Sequence, residues 1–150
     1  MPPCQAKAMA TQGSTHRGVT ISRIASSKFA VTNGRGGEMT ISTGEGADFT
    51  PVELLLAAIG GCTAIDVDIL TARRSEPDAF TVSVDAEKVR DDQGNHLADI
   101  CVSFQVVFPE TPGGDEARAI LPDVVRKSHD RLCSVGRTIE IGTPIATQIG

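Results

Sequence analysis

The chain of 150 residues contains no Trp, no Tyr and only 5 Phe, so it lacks the aromatic platform on which single-stranded nucleic acid stacks. It also lacks an excess of positive charge. Against 19 Asp plus Glu stand 14 Lys plus Arg, a net charge of -5, and no basic patch of the kind that grips phosphates is expected. Nucleic acid is therefore excluded as a partner. The cysteines Cys4, Cys62, Cys101 and Cys133 include no CxxC pair, which argues against a zinc knuckle or a disulfide scaffold. The stretch from Val52 to Leu70 is interrupted by Asp66 and Asp68, so it reads as a buried core helix rather than a membrane span. The N-terminus, MPPCQAKAMATQGSTH, has no apolar stretch of signal-peptide length, and the expected setting is a reducing cytoplasm with free thiols.

What is present fits one compact domain. Hydrophobic residues make up 40%, and the 15 Gly and 8 Pro are scattered rather than periodic, which rules out collagen-like and wholly disordered chains. Residues 1–15 are small and polar without a period and read as a flexible tail preceding a domain over 16–150. From Gly18 the segments VTISRI, KFAVTN and EMTIST alternate around Asn33-Gly34 and Gly36-Gly37, predicting three antiparallel strands. Thr50-Pro51-Val52-Glu53 then combines an N-cap, a first-turn proline and a capping-box glutamate, predicting a helix over about 51–73. That helix is apolar nearly all round and needs cover on every side, which favours a dimer. FTVSVDAEKVR and ADICVSFQVVF, joined by DDQGNHL, should pair as a hairpin. A second helix is expected from about Gly114, with Pro122 as start or kink, ending near Cys133 or Gly136. TIEIGTPIATQIG alternates and reads as a closing strand. The resulting order, βββ-α-ββ-α-β, defines an α+β domain whose curled antiparallel sheets wrap a long central helix.

Cys62 follows Gly60-Gly61 about three turns into that helix. Each glycine costs about 1 kcal/mol relative to Ala, so close packing or room for a ligand beside the thiol is expected. Cys133 ends the second helix in SHDRLCSVGR, where cationic neighbours lower a thiol pKa and a helix C-terminus raises it. His129 and Cys133 at i, i+4 form at most half of a metal site, with no second pair in the chain.

TPVELLLAAIGGCTAIDVDIL, followed by a helix ending in HDRLCSVGRTIE, resembles the OsmC/Ohr family of osmotically inducible and organic-hydroperoxide-resistance proteins. The likeness runs from about Val19 to the end and includes both cysteines. It implies a thiol peroxidase working as an intertwined homodimer, without metal or organic cofactor. Cys62 falls on the peroxidatic cysteine, whose thiolate becomes sulfenic acid. Cys133 falls on the resolving cysteine, and the resulting disulfide would be reduced by an external dithiol such as lipoamide or by a thioredoxin-type system. The family's helix-start glutamate corresponds to Val52 here, with Glu53 one residue later, where the capping box already accounts for it. The family's activating arginine has two counterparts, Arg23 and Arg35, the latter in the turn Asn-Gly-Arg-Gly-Gly. Asp66, one turn after Cys62, would raise that thiol's pKa if unpaired. Two other readings stand beside the peroxidase: a non-catalytic dimeric small-molecule-binding stress protein, and a redox sensor that oxidises without turnover. Cys4 lies in the tail and Cys101 on the strand face of Ser103 and Gln105.

Overall fold

Thr50 closes a reciprocal cap in the computed structural model, which describes residues 15–150. Its backbone N–H donates to Glu53 Oε2 at 2.7 Å, and the N–H of Glu53 donates back to Thr50 Oγ1 at 3.2 Å. The helix this box starts, α1, spans Pro51–Thr71. Nearly all of the expected tail, and Cys4 with it, lies outside the described residues.

The chain divides into two units. One comprises the described residues up to Glu53 together with Thr143–Gly150, and the other is Leu54–Gly142. In the first, β1 (Val19–Ala25), β2 (Lys28–Asn33) and β3 (Glu38–Ile41) form an antiparallel sheet in sequence order. The register runs Val19↔Asn33 across β1–β2 and Phe29↔Ile41 across β2–β3. The β2–β3 turn is an Asn side-chain turn, with Asn33 Oδ1 accepting from the N–H groups of Arg35 at 2.9 Å and Gly37 at 3.0 Å. Gly36 supplies the left-handed residue, at φ 87.

In the second unit β4 (Ala79–Asp91) and β5 (Gly94–Val107) form a long hairpin whose turn is only two residues, tighter than DDQGNHL suggests. Alternation puts Phe80, Val82 and Val84 with Val102, Phe104 and Val106 on the more buried face. Phe80 and Phe104 meet edge to face at 6.3 Å. Opposite Ala86, β5 carries an extra residue between Cys101 and Ala98, and Asp99 there takes a left-handed φ of 53. Gly60 of α1 seats on this sheet, since a Cβ there would lie 2.5 Å from Val84 Cγ2. Gly61 faces open space. The core is Ile59, Val67, Phe108, Ala117, Val124 and Cys133.

Helix α2 spans Pro112–Lys127 and starts earlier than the sequence suggests, with Thr111 capping the N–H of Gly114. Pro122 lies inside it. The helix then widens into a single π-helical turn, Ser128–Leu132, and a third helix, α3, runs over Ser134–Glu140.

The predicted closing strand is therefore replaced. Thr138, Ile139 and Glu140 at its start belong to α3, and Thr143–Gly150 takes no regular structure, so the order is βββ-α-ββ-α-α with a π turn between the last two. Local bonds override the alternating pattern. Cys133 caps α3, Thr138 Oγ1 donates to Ser134 O at 2.7 Å, and Arg137 pairs with Glu140 at 2.9 Å. Ile145 and Ile149 are 89% and 94% exposed, so among the described residues no sheet face covers them to reward a strand there.

By length and composition α1 is apolar enough to cross a bilayer, with a mean hydropathy of 1.8. Its carboxylates argue for a protein setting instead: Asp66 accepts a hydrogen bond from buried Ser128 at 2.8 Å. The stripe opposite buried Val67 and Thr71 is uncovered, with Ile65 62% and Ile69 53% exposed.

Candidate functional site

Three elements of the second unit converge on the cysteines. Helix α1 presents Cys62 half-buried, between Ile59 on the preceding turn and Thr63. The π turn delivers Cys133, which is buried and whose N–H bonds to the carbonyl of Ser128 at 2.9 Å. Cys62 is near enough to Cys133 to perturb its thiol. Both are free, as is the exposed Cys101, whose sulfur lies 4.0 Å from Ser103 Oγ.

The environment of Cys133 is mixed. Burial pushes its thiol up from the ordinary value. The Gly136 N–H, 3.3 Å from the sulfur, pulls it down, as does the N–H of Val135 to a lesser degree. Cys62 pushes it up again, both as a hydrogen-bond partner and through the charge of its thiolate. The net shift is upward. That direction agrees with the sequence reading, but the cause differs: Cys133 stands at the start of α3, and burial outweighs the helix-end effect.

A cavity of about 390 Å³ adjoins the pair. Ile59, Val102, Phe104, Val125 and Ile139 give it apolar walls, Cys133 faces into it, and His129 and Glu140 stand at its polar side. Cys62 is not in the wall itself, although its neighbours Ile59 and Thr63 are. His129 Nε2 lies 3.5 Å from Glu140 Oε1. Among the described residues no group of three or more His, Cys, Asp or Glu side chains converges to hold a metal ion.

A buried polar chain, invisible in the local sequence, runs beside the thiols. Ser128 Oγ donates to Asp66 Oδ2 at 2.8 Å and lies 2.8 Å from Thr63 Oγ1. Since the single Ser128 hydroxyl proton goes to Asp66, Thr63 is the donor to Ser128. Asp66 is thus partnered by a serine.

Glu53 and Arg35 belong to the first unit, and each has a local role. Thr50 donates to Glu53 Oε2 from its backbone and, at 3.0 Å, from its hydroxyl, and these bonds hold the carboxyl below its ordinary value. A depressed carboxylate pKa stabilises the fold at neutral pH, and that contribution is lost as the pH falls through the folded-state value on the acid side of 4.5. Thr50→Ala is expected to cost about 1 kcal/mol, read as a lower urea midpoint with an unchanged slope. The Arg35 guanidinium has no hydrogen bond or ion pair among the described residues, and Arg23 lies on β1 opposite Phe29.

An α+β chain with two small antiparallel sheets and a paired-cysteine site on a long apolar helix has the OsmC-like fold. The family described as OsmC-like protein matches residues 44–148, and the chain belongs to it. A hypothetical protein from Aquifex aeolicus is similar in structure, at TM-score 0.68 and 21% identity over 87% of this chain and 91% of that one. An OsmC-like protein of unknown function from Vibrio cholerae gives TM-score 0.69 at 14% identity over 85% and 95%. The organic hydroperoxide resistance protein OhrB of Bacillus subtilis gives TM-score 0.55 at 14% identity over 82% and 90%. These likenesses concern the fold. No curated protein matches the chain.

Proposed function

We propose that the protein is a cysteine-based peroxidase for organic hydroperoxides, acting as a cytoplasmic homodimer. The observation that carries this reading is that Cys133 lines an apolar cavity with Cys62 near enough to perturb its thiol. Family membership, which includes hydroperoxide-resistance proteins among its structural relatives, supports it.

In this scheme the Cys62 thiolate attacks the distal peroxide oxygen and the O–O bond breaks. The alkoxide leaves and takes up a proton as the alcohol, and Cys62 becomes sulfenic acid. The Cys133 thiolate then attacks that sulfur, forming the S–S bond and releasing hydroxide, which is protonated to water. An external dithiol, of lipoamide or thioredoxin type, returns two electrons and leaves as its own disulfide. The cavity walls favour an uncharged alkyl or aryl group on the peroxide. The uncovered stripe of α1 supports the dimer, since an apolar helix face of this kind is normally buried. In that dimer the uncommitted Arg35 is the residue we assign to hold the thiolate across the interface. Glu53 would orient it through Oε1, because both of its bonds to Thr50 use Oε2.

The test treats reduced protein with a slight excess of cumene hydroperoxide, follows peroxide loss and maps the cysteine peptides by mass spectrometry. Rapid loss with a Cys62–Cys133 disulfide, and turnover on adding dihydrolipoamide or thioredoxin, is expected. Slow disulfide formation without turnover would make the protein a redox sensor. No selective oxidation would leave a non-catalytic binding protein.

A further inference from the structure

The geometry points to Ser128 as the positioning residue for the cysteine pair: its side chain is fixed to α1 while its backbone holds Cys133. The inference rests on the reading that Cys62 and Cys133 are the redox pair, and deepens it.

Ser128 is the first residue of the π turn and is fully buried, at 0% exposure. Its hydroxyl is saturated by two partners on α1, Thr63 at 2.8 Å and Asp66 at 2.8 Å. Those partners both follow Cys62 on α1, Thr63 being the next residue and Asp66 lying one helical turn on. The Ser128 carbonyl accepts the N–H of Cys133, a bond of 2.9 Å that spans five residues. That five-residue reach defines the π turn, a distortion found mostly at functional sites. A regular α-helix would pair Ser128 with Leu132 and rotate Cys133 away from its present direction. One residue therefore grips the Cys62 helix with its side chain and the Cys133 backbone with its carbonyl. A disulfide tolerates Cα separations of only roughly 4.4–6.8 Å, so the closing rate and the stability of the bond depend on that grip. Asp66 follows the same logic: it anchors the clamp, which explains a carboxylate near a thiol that must ionise.

The test measures the reduction potential of the disulfide in full-length protein. Wild type, Ser128→Ala, Thr63→Val and the core control Phe108→Leu are equilibrated in mixtures of reduced and oxidised glutathione. Two glutathione thiols are oxidised for each protein disulfide reduced. The fraction of Cys62–Cys133 disulfide is read by alkylation and peptide mass spectrometry.

Ser128→Ala is expected to make the disulfide about tenfold easier to reduce, a shift of about 30 mV for a two-electron couple. Thr63→Val, which keeps shape and removes one donor, should move it the same way by about threefold, and it carries the test if Ser128→Ala does not fold. Phe108→Leu, a buried change outside the clamp, should lower stability and leave the potential alone. Unmoved potentials in both clamp variants, or an equal shift in Phe108→Leu, would overturn the inference. Absence of a Cys62–Cys133 disulfide in the wild type at any glutathione ratio would overturn it together with the redox pairing. Because glutathione sets the equilibrium, a protein that shows the expected shifts yet consumes no peroxide refutes the peroxidase reading alone.

Discussion

Cys62→Ser is expected to reduce peroxide consumption to the rate of buffer alone, a loss of at least about a thousandfold, or about 4 kcal/mol in the barrier. Serine keeps the size of the side chain and a hydrogen-bond partner for Cys133, so the fold and the cavity should survive. What disappears is the thiolate, the species that attacks an O–O bond, and with it any route to sulfenic acid. Cys101 provides the internal comparison, because it is free and more exposed than Cys62. If exposure alone governed oxidation, Cys101 would react first. Peroxide loss that survives in Cys62→Ser and vanishes in Cys101→Ser would place the chemistry on the hairpin and sink the assignment. Near-complete loss in Cys62→Ser with full activity in Cys101→Ser is the expected pattern.

How much of this arrangement was legible depended on whether the deciding interaction was local. The dipeptide Thr-Pro occurs at 50–51, 111–112 and 143–144. The first is readable as a helix start because Glu53 completes the box and an apolar period follows at once. The second starts α2 just as surely, but Gly113 and Gly114 come next and hide it. Those glycines are there because the backbone is crowded: a Cβ at Gly113 would lie 2.6 Å from Arg74 O, and one at Gly114 would collide with Pro109 O. The third starts no helix, and Ile145 and Ile149 beyond it are exposed. Ile139 and Ile141 mislead in the opposite sense. Their spacing of two reads as a strand, but the cap from Cys133 and the Arg137–Glu140 pair close a helix over them. The first misreading arises where backbone from Arg74 crowds the helix start, and the second where bonds within a few residues override an alternating pattern.

The site divides the same way. Cysteines carry their chemistry in their identity, so Cys62 and Cys133 stood out from the sequence alone. The expectation that Gly60-Gly61 signals tight packing is met at Gly60 against Val84, while Gly61 opens to solvent. Ser128 had no such mark. A serine in a helical stretch is ordinary, and its partners Thr63 and Asp66 lie 65 and 62 positions away. Only the fold brings them together, and no local pattern announces it.

Cys133→Ser should separate the two halves of the reaction. The first turnover is expected to proceed, since Cys62 remains, but the sulfenic acid then has no neighbouring thiol and accumulates. Repeated additions of peroxide should drive Cys62 to sulfinic and sulfonic acids, read as successive gains of oxygen on its peptide, with recycling by dithiol falling by about a hundredfold or more. The environment of Cys133 says why the wild type avoids this fate. Before oxidation, burial and, to a lesser degree, Cys62 push the Cys133 thiol up, which on this scheme disfavours its competing for peroxide. Conversion of the Cys62 thiolate to neutral sulfenic acid removes that charge, while the N–H groups of Gly136 and Val135 remain to draw Cys133 towards its thiolate. On the proposed scheme, oxidation of the first cysteine would therefore activate the second, and the deeper burial of Cys133 would favour the same order. The check is the rate of disulfide closure after a single peroxide pulse. It should rise with pH until the Cys133 thiol is ionised in the sulfenic state, with Cys62 already oxidised throughout. A closure rate that does not respond to pH, or unchanged recycling in Cys133→Ser, would rule out Cys133 as the resolving thiol.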